Sequence, residues 1–176
     1  MHILEDGGHP YGVLPGNHDN TWGRSNDLYN EYFPPSRFES QPTYGGSWRE
    51  DDSQNRFDVL EVGGAKFLMI ALGYSPAADE AIEWAQGVID SHPDHNVIFA
   101  THEYIFPADG AGEVTGRSGA IVSPENSRWT SRGQRYWDEL ILPNEQVFLT
   151  LSGHHHGVAL NIKRTSAASR AARWWR

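Results

Sequence analysis

The chain has 176 residues and no cysteine, its net charge at pH 7 is −9, and 38% of its residues are hydrophobic. This length fits one domain with a sizeable buried core. The lack of cysteine excludes disulfides, cysteine-ligated metal sites and thiol catalysis, and the acidic balance argues against a non-specific nucleic-acid-binding surface. No apolar run reaches the roughly 18–20 residues of a membrane span. Residues 1–6 carry neither the basic nor the apolar region of a signal peptide.

The sequence predicts strands and helices in alternation after an irregular N-terminal third. A short helix is predicted near Asn26–Phe33, inside a segment rich in glycine, proline and aromatic residues over 20–55. Polar–apolar alternation indicates a half-buried strand, whereas continuous apolar runs indicate buried strands. In chain order we predict a strand over 56–62, a strand buried on both faces over 66–72, a helix over 79–91, a buried strand over 96–101, a helix over 131–141 and a buried strand over 146–151. This order is typical of an α/β fold.

Helical periodicity indicates which side chains the two longer helices bury. On the first helix the residues that share one face are Ile82, Ala85, Val88 and Ile89. On the second helix the predicted buried residues are Tyr136, Trp137, Leu140 and Ile141.

Three apolar runs, treated as strands, lead directly into polar clusters. These clusters are Gly16-Asn17-His18-Asp19 after Leu14–Pro15, His102-Glu103 after Ala100–Thr101, and Gly153-His154-His155-His156 after Leu149–Leu151. In open α/β sheets, ligands bind beyond the carboxyl ends of the strands, so parallel neighbouring strands would bring the clusters together. Imidazole nitrogens and an amide oxygen suit a divalent ion such as Zn²⁺, Fe²⁺ or Mn²⁺.

Each cluster taken singly also has a structural explanation. A histidine after a strand is often a hydrogen-bonded loop residue, Gly16-Asn17-His18-Asp19 fits a glycine turn, and three consecutive histidines occur in tag remnants. The combination of all three clusters is more specific than any one. The other histidines are interpreted as solvated loop residues without a functional role, namely His2, His9, His92 and His95.

The order of the three clusters resembles the calcineurin-like metallophosphoesterases. That family carries G-N-H-[DE], a lone histidine after a strand, and G-H-x-H, which correspond here to Gly16–Asp19, His102 and Gly153–His156. The resemblance spans about residues 9–162, and the text around Leu60–Pro76 reads like the family's secreted bacterial members. It implies an α/β/β/α sandwich and hydrolysis of a phosphomonoester or phosphodiester at a centre of two divalent metal ions, Mn, Fe or Zn.

The resemblance also implies roles for individual residues. Asn17, His102 and His154 would hold one metal ion, and His156 would belong to the other. His18 would protonate the leaving oxygen of the substrate or stabilise its charge, and Asp19 would orient His18. His155, at the free position of the last motif, would line the pocket or contact the substrate.

Two motifs of the family are absent from this sequence. The family opens with D-x-H and G-D-x-x-[DN] upstream of G-N-H-[DE], whereas only fifteen residues precede Gly16 here and neither motif occurs among them. The missing motifs include the aspartate that bridges the two ions. We therefore expect a truncated member of the family that lacks its first sheet strands, with a hydrophobic sheet edge exposed and its intact parent secreted.

Two alternatives to turnover follow from this departure. One is a catalytically inactive fragment that binds a single metal ion through Asn17, His102 and His154. The other is a binding module that uses the aromatic side chains of the N-terminal segment, which are Trp22, Tyr29, Tyr32, Phe33, Tyr44 and Trp48. Packing of a long loop is the more frequent use of such side chains.

The last fourteen residues differ in composition from the rest. Residues 163–176 hold five basic and no acidic side chains. We expect a partial phosphoesterase domain over 1–162 and a disordered basic tail over 163–176, the alternative for the tail being an amphipathic segment for a membrane surface or partner.

Overall fold

The computed structural model describes residues 1–75, 78–106 and 128–155, and it has a mixed α/β architecture. The helices are α1 (His2–Asp6), α2 (Asp27–Tyr32), α3 (Ala78–Asp90) and α4 (Ser131–Tyr136), with a short 3₁₀ turn over Pro35–Arg37 and a π turn over Trp137–Ile141. The strands are β1 (Tyr44–Arg49), β2 (Asp52–Val62), β3 (Ala65–Leu72), β4 (Asn96–Thr101), β5 (Ile105–Phe106), β6 (Arg128–Trp129) and β7 (Val147–Ser152). In the described part of the chain no helix is long and apolar enough to cross a membrane.

The chain divides into two compact units. The first comprises Met1–Tyr104 and Trp129–His154, and the second comprises Ile105–Arg128 and His155–Arg176. A five-stranded sheet in the order β1-β2-β3-β4-β7 forms the centre of the first unit, while β5 pairs with β6 in a sheet of two strands. The predicted tail over 163–176 lies outside the described residues.

The sheet changes direction at β3 because of how its strands are connected. Gly63 and Gly64, both with positive φ, make the tight turn that returns β2 antiparallel onto β3. The crossover from β3 to β4 contains α3, and these two strands are parallel, as are β4 and β7. The register pairs Leu72 with Thr101 and Thr101 with Ser152, so β3, β4 and β7 end at the same level.

The hydrophobic core lies between one face of the sheet and the two longer helical segments. The predicted stripe on α3 is buried, and so are most of the side chains expected from the second helix; the core residues on these helices are Ile82, Ala85, Val88, Ile89, Tyr136, Leu140 and Ile141. Trp137 is only half-buried, because the helix changes to a π turn at that residue.

Four predictions about the strands were wrong. The run Leu14–Pro15 is not a strand; Pro15 has no N–H for a ladder and instead packs against Gly73. In β3 and β4 only alternate residues are fully buried, and their other face is half-buried. β7 is an edge strand with exposed Phe148, Leu149 and Leu151, so it is not buried. The sheet also contains β1, which the sequence pattern did not indicate.

β2 is longer than predicted, and its additional residues are polar and mostly buried. The strand begins at Asp52, and its residues from Ser53 to Arg56 are buried. The Arg56 guanidinium contacts the Asp58 carboxylate at 2.6 Å and lies 4.0 Å from the centre of the Phe38 ring. Burial raises the pKa of Asp58, although the charge of Arg56 opposes this shift. Polar side chains of β2 are therefore buried as an ion pair beside an aromatic ring, whereas the polar face of an ordinary alternating strand is solvated.

Candidate functional site

The candidate site lies where β3, β4 and β7 end. His102 follows β4 directly, and His154 is separated from the end of β7 by Gly153 alone. Because the register ends these strands level with one another, both histidines start from the same edge of the sheet. Asn17 comes from the irregular segment that precedes α2. Its loop is tied to the end of β3, since the Tyr74 N–H donates to the Pro15 carbonyl at 2.9 Å.

Three atoms that can each ligate a metal ion, one amide oxygen and two imidazole nitrogens, converge at this edge of the sheet. Asn17 Oδ1 lies 2.7 Å from His102 Nε2 and 3.1 Å from His154 Nδ1, and the two imidazole nitrogens are 2.9 Å apart. Asn17 is 1% exposed, so its amide oxygen is held in place by the surrounding structure. Side chains separated by 85 and 137 residues in sequence thus meet at one point.

The spacing of the three atoms fits a divalent ion. Ligands bonded at about 2.1 Å and at right angles to one another are about 3.0 Å apart, which matches one face of an octahedral site. Lone pairs of an amide oxygen and two imidazole nitrogens would be satisfied together by a cation. Within the described residues no three His, Cys, Asp or Glu side chains form such a cluster, so an ion at this point would need the amide oxygen as its third ligand.

The backbone at Gly16 leaves room for the His102 ring. A Cβ atom at this position would lie 2.7 Å from His102 Cε1 and 3.1 Å from His102 Nε2. Real Cβ atoms essentially never lie as close as 2.7 Å to another heavy atom, so a residue other than glycine would displace the ring or the loop. The first glycine of the predicted motif therefore has a steric function in placing His102.

His18 and Asp19 lie at the exposed side of the same loop. The His18 ring is exposed and packs against the Trp22 ring, with 5.3 Å between the ring centres. The Asp19 carboxylate accepts a hydrogen bond of 2.8 Å from the Gly16 N–H, so it closes the turn that presents Asn17.

Backbone strain is concentrated at two places around the site. Thr21 and Trp22 have φ of +53° and +59°, and His154 has φ of +66°. Left-handed conformations cost non-glycine residues about 1–3 kcal/mol and persist only where surrounding contacts enforce them. The β-branched Thr21 is the most unfavourable of the three.

Tyr74 and Arg132 belong to the site and were not predicted. The Tyr74 ring is 5.9 Å from the His102 ring in an edge-on contact and 6.3 Å from the His154 ring in a stacked one, measured between ring centres. The Arg132 guanidinium lies 4.4 Å from the centre of the Tyr74 ring. Tyr74 lies two residues after the end of β3, much as His102 directly follows the end of β4. This position is the signal in the sequence that could have identified Tyr74.

Two further predicted site residues follow His154 in the sequence. His155 belongs to the second unit and is half-buried. His156 lies outside the described residues.

A polar cleft of about 510 Å³ opens elsewhere in the first unit. It is lined by the loop 23–27 together with Asn30, Arg49, Asp51, Asp52 and Gln54. It does not include the three converging donor atoms. All of its lining residues fall within the segment 23–54.

The aromatic side chains of the N-terminal segment are divided between packing and exposure. Tyr29 is buried against Phe33, and Tyr44 stacks on Phe38. Trp22 and Tyr32 are each 58% exposed.

Comparison with known proteins leaves the family of the chain open. No protein-family model and no solved structure matches it significantly. The chain is similar to the uncharacterized protein YvnB of Bacillus subtilis (strain 168), with 33% identity over 159 residues. The aligned region covers 89% of this chain and 11% of the relative, so the chain spans about a tenth of the length of that protein.

Proposed function

We propose that the chain is a metal-dependent phosphoester hydrolase of the calcineurin-like type, with the α/β/β/α sandwich of that family. The observation that carries this proposal is the convergence of Asn17 Oδ1, His102 Nε2 and His154 Nδ1 within 3.1 Å of one another. Two further facts support it: the donors come from the three motifs in the order that the family has, and the exposed His18 lies on the same loop as Asn17.

The donor set suits one ion, and His156 would belong to a second. Divalent ions bound there would supply Lewis acidity toward the phosphoryl oxygens of a phosphomonoester or phosphodiester. Nitrogen and oxygen ligands accept Mn²⁺, Fe²⁺ or Zn²⁺, and the choice among them depends on availability.

His18 is the proposed general acid. An exposed imidazole can meet the substrate and can donate a proton to the oxygen that leaves phosphorus. The Trp22 ring limits where the imidazole can turn. Asp19 accepts a hydrogen bond from the Gly16 N–H and so holds the loop that carries His18. The resemblance implies in addition that Asp19 orients His18.

Hydrolysis of nitrophenyl phosphate and bis-nitrophenyl phosphate by the Mn²⁺-loaded protein tests the proposal. His18→Ala should lower kcat by about 10²–10⁴-fold while the metal content is unchanged, because His18 is not among the donors. His9→Ala is the matched control, since His9 is an exposed loop histidine. A folded, metal-loaded wild type that cleaves neither ester would reject the proposal.

A single-metal binding module is the second candidate. The observation that favours it is the absence of a carboxylate from the described cluster, since carboxylates add ligand charge to a divalent site. Metal stoichiometry separates the two candidates: two ions per chain support the hydrolase, and one ion with no turnover supports the binding module.

A further inference from the structure

We infer that Tyr74, with Arg132 behind it, is the positioning residue that holds the two metal-binding imidazoles together. The Tyr74 ring contacts the rings of both His102 and His154. This inference rests on the proposed metal site and extends it to side chains that none of the three motifs contains.

The backbone of Tyr74 also fixes the loop that carries the third ligand atom, Asn17 Oδ1. Its N–H donates to the Pro15 carbonyl at 2.9 Å, and its carbonyl accepts a hydrogen bond from the Asn20 side chain. Pro15 and Asn20 flank Asn17 on either side. A single residue thus fixes the loop that carries the amide oxygen through its backbone and both imidazoles through its ring.

The preceding residue, Gly73, holds the backbone at Tyr74 in place. Its N–H donates to the Gln54 carbonyl and to Asn55 Oδ1, each at 3.0 Å. A Cβ atom at Gly73 would lie 2.7 Å from the Pro15 ring, so the loop and the end of β3 are in close contact. Tyr74 therefore starts from a backbone that has little freedom to move.

Arg132 holds the Tyr74 ring by a cation–π contact. Its guanidinium lies 4.4 Å from the ring centre, donates to the Ser75 carbonyl and is 3.7 Å from the Glu103 carboxylate. Glu103 directly follows the ligand His102. The arrangement links α4, β3 and β4 around one aromatic ring, as the surrounding shell of a metal site does for its ligands.

Replacement of the ring tests the inference, with Zn²⁺ as the probe in a competition titration. Tyr74→Ala should weaken Zn²⁺ binding about 10- to 100-fold, the range for loss of a residue that orients metal ligands. Tyr74→Phe, which keeps the ring, should bind within about twofold of wild type. Arg132→Gln should lose about three- to tenfold, in line with one cation–π contact. Tyr32→Ala is the control, because Tyr32 is 58% exposed.

A second measurement on the metal-free protein separates this inference from the proposed function. The His102 and His154 rings have centres 4.7 Å apart and should give a cross-ring nuclear Overhauser effect in wild type and Tyr74→Phe. This signal should be lost in folded Tyr74→Ala. Its retention there would overturn the positioning role, whether or not wild type binds Zn²⁺. Failure of wild type to bind Zn²⁺, with the signal lost in Tyr74→Ala, would reject only the proposed metal site.

Discussion

At the scale of single residues, the site depends on one glycine as much as on its polar side chains. Asn17, His102 and His154 supply the converging atoms, but the His102 ring reaches them across the surface of Gly16. Asp19 accepts from the Gly16 N–H and so holds the loop in the conformation that permits this approach. The glycine and the aspartate of the motif therefore act together on geometry, whereas the asparagine provides the amide oxygen that meets the two imidazoles.

Gly16→Ala should damage the site without removing any ligand. The added Cβ would lie 2.7 Å from His102 Cε1, so the ring or the loop must move. We expect a loss of about 1–3 kcal/mol in the free energy of unfolding, as for overpacking of a core, and Zn²⁺ binding weaker by at least about tenfold. Urea unfolding and a competition titration measure the two effects.

Gly153→Ala is the matched control for this substitution. Gly153 belongs to the other glycine motif, but a Cβ atom there has no neighbour within 4 Å among the residues that the structure describes. Its Zn²⁺ affinity and stability should stay near those of wild type. Equal effects of the two substitutions would show that the His102 contact is not the cause.

At the scale of elements, an ion pair fixes the N-terminal helix to the rest of the first unit. Glu5 on α1 accepts from Arg37 Nε at 2.7 Å and from Arg37 Nη2 at 3.2 Å, and it also accepts from the Tyr11 hydroxyl. α1 has five residues and buries none of them. A helix this short is marginal by itself, so its position depends on this contact.

The same ion pair predicts a specific dependence of stability on pH. The hydrogen bond from Arg37 lowers the pKa of the Glu5 carboxyl from 4.5 to about 2. Because the folded pKa lies below the unfolded one, the contribution of Glu5 to stability is fully present above about 4.5 and is lost as the pH falls toward 2. The stability difference between wild type and Glu5→Gln should therefore be constant near neutral pH and shrink below about 4.5.

Urea midpoints of both proteins across this pH range check the prediction. Arg37→Met removes the hydrogen bond that chiefly lowers the pKa of Glu5. The pKa of Glu5, followed by the chemical shift of its carboxyl carbon, should then return toward 4.5. A pKa of Glu5 above about 4 in the wild-type protein would contradict the ion pair between Glu5 and Arg37.

The elements also indicate how far the sequence alone can predict this fold. The strands β3 and β4 and the helix α3 were predicted within two residues, because local periodicity and the turns at Gly63-Gly64 and Pro93 determine them. β1 was missed although its partner β2 follows almost directly in sequence, because Tyr44–Arg49 contains two glycines and no run of apolar residues. The burial of Arg56 was missed because periodicity does not show which groups pack around a side chain. The edge position of β7 was missed for the same reason: a run of apolar residues does not reveal how many neighbours its strand has.

The site was more predictable than the packing around it. The convergence of His102 and His154 was predicted because strand ends in parallel sheets place polar residues at one edge. Asn17 reaches the same edge for a different reason: the run before it is not a strand, and a backbone hydrogen bond from Tyr74 to Pro15 ties its loop to the end of β3. Tyr74 carried the same positional signal, but an aromatic residue at a strand end has no distinctive chemistry to mark it. Arg132 carried none, because its role depends on where α4 packs against the sheet.

At the scale of the whole molecule, binding of an ion should connect parts of the chain that are far apart. The three donors belong to the N-terminal loop and to the ends of β4 and β7, so one ion would join the first and last segments of the first unit. An unfolded chain holds these groups apart and cannot form the site. Metal binding should therefore favour the folded state by mass action.

Thermal unfolding with and without Zn²⁺ measures this coupling. At a free metal concentration of 100 times Kd the stabilisation is about 2.7 kcal/mol, which for a chain of this size raises Tm by roughly 5–10 °C. A chelator should reverse the shift. His102→Ala removes one donor, so its Tm should respond little to the same metal concentration, whereas His9→Ala should respond as wild type does. Because the compared quantity is the metal-induced shift and not Tm itself, any loss of stability from the substitution cancels. Equal shifts in His102→Ala and wild type would mean that the ion binds elsewhere.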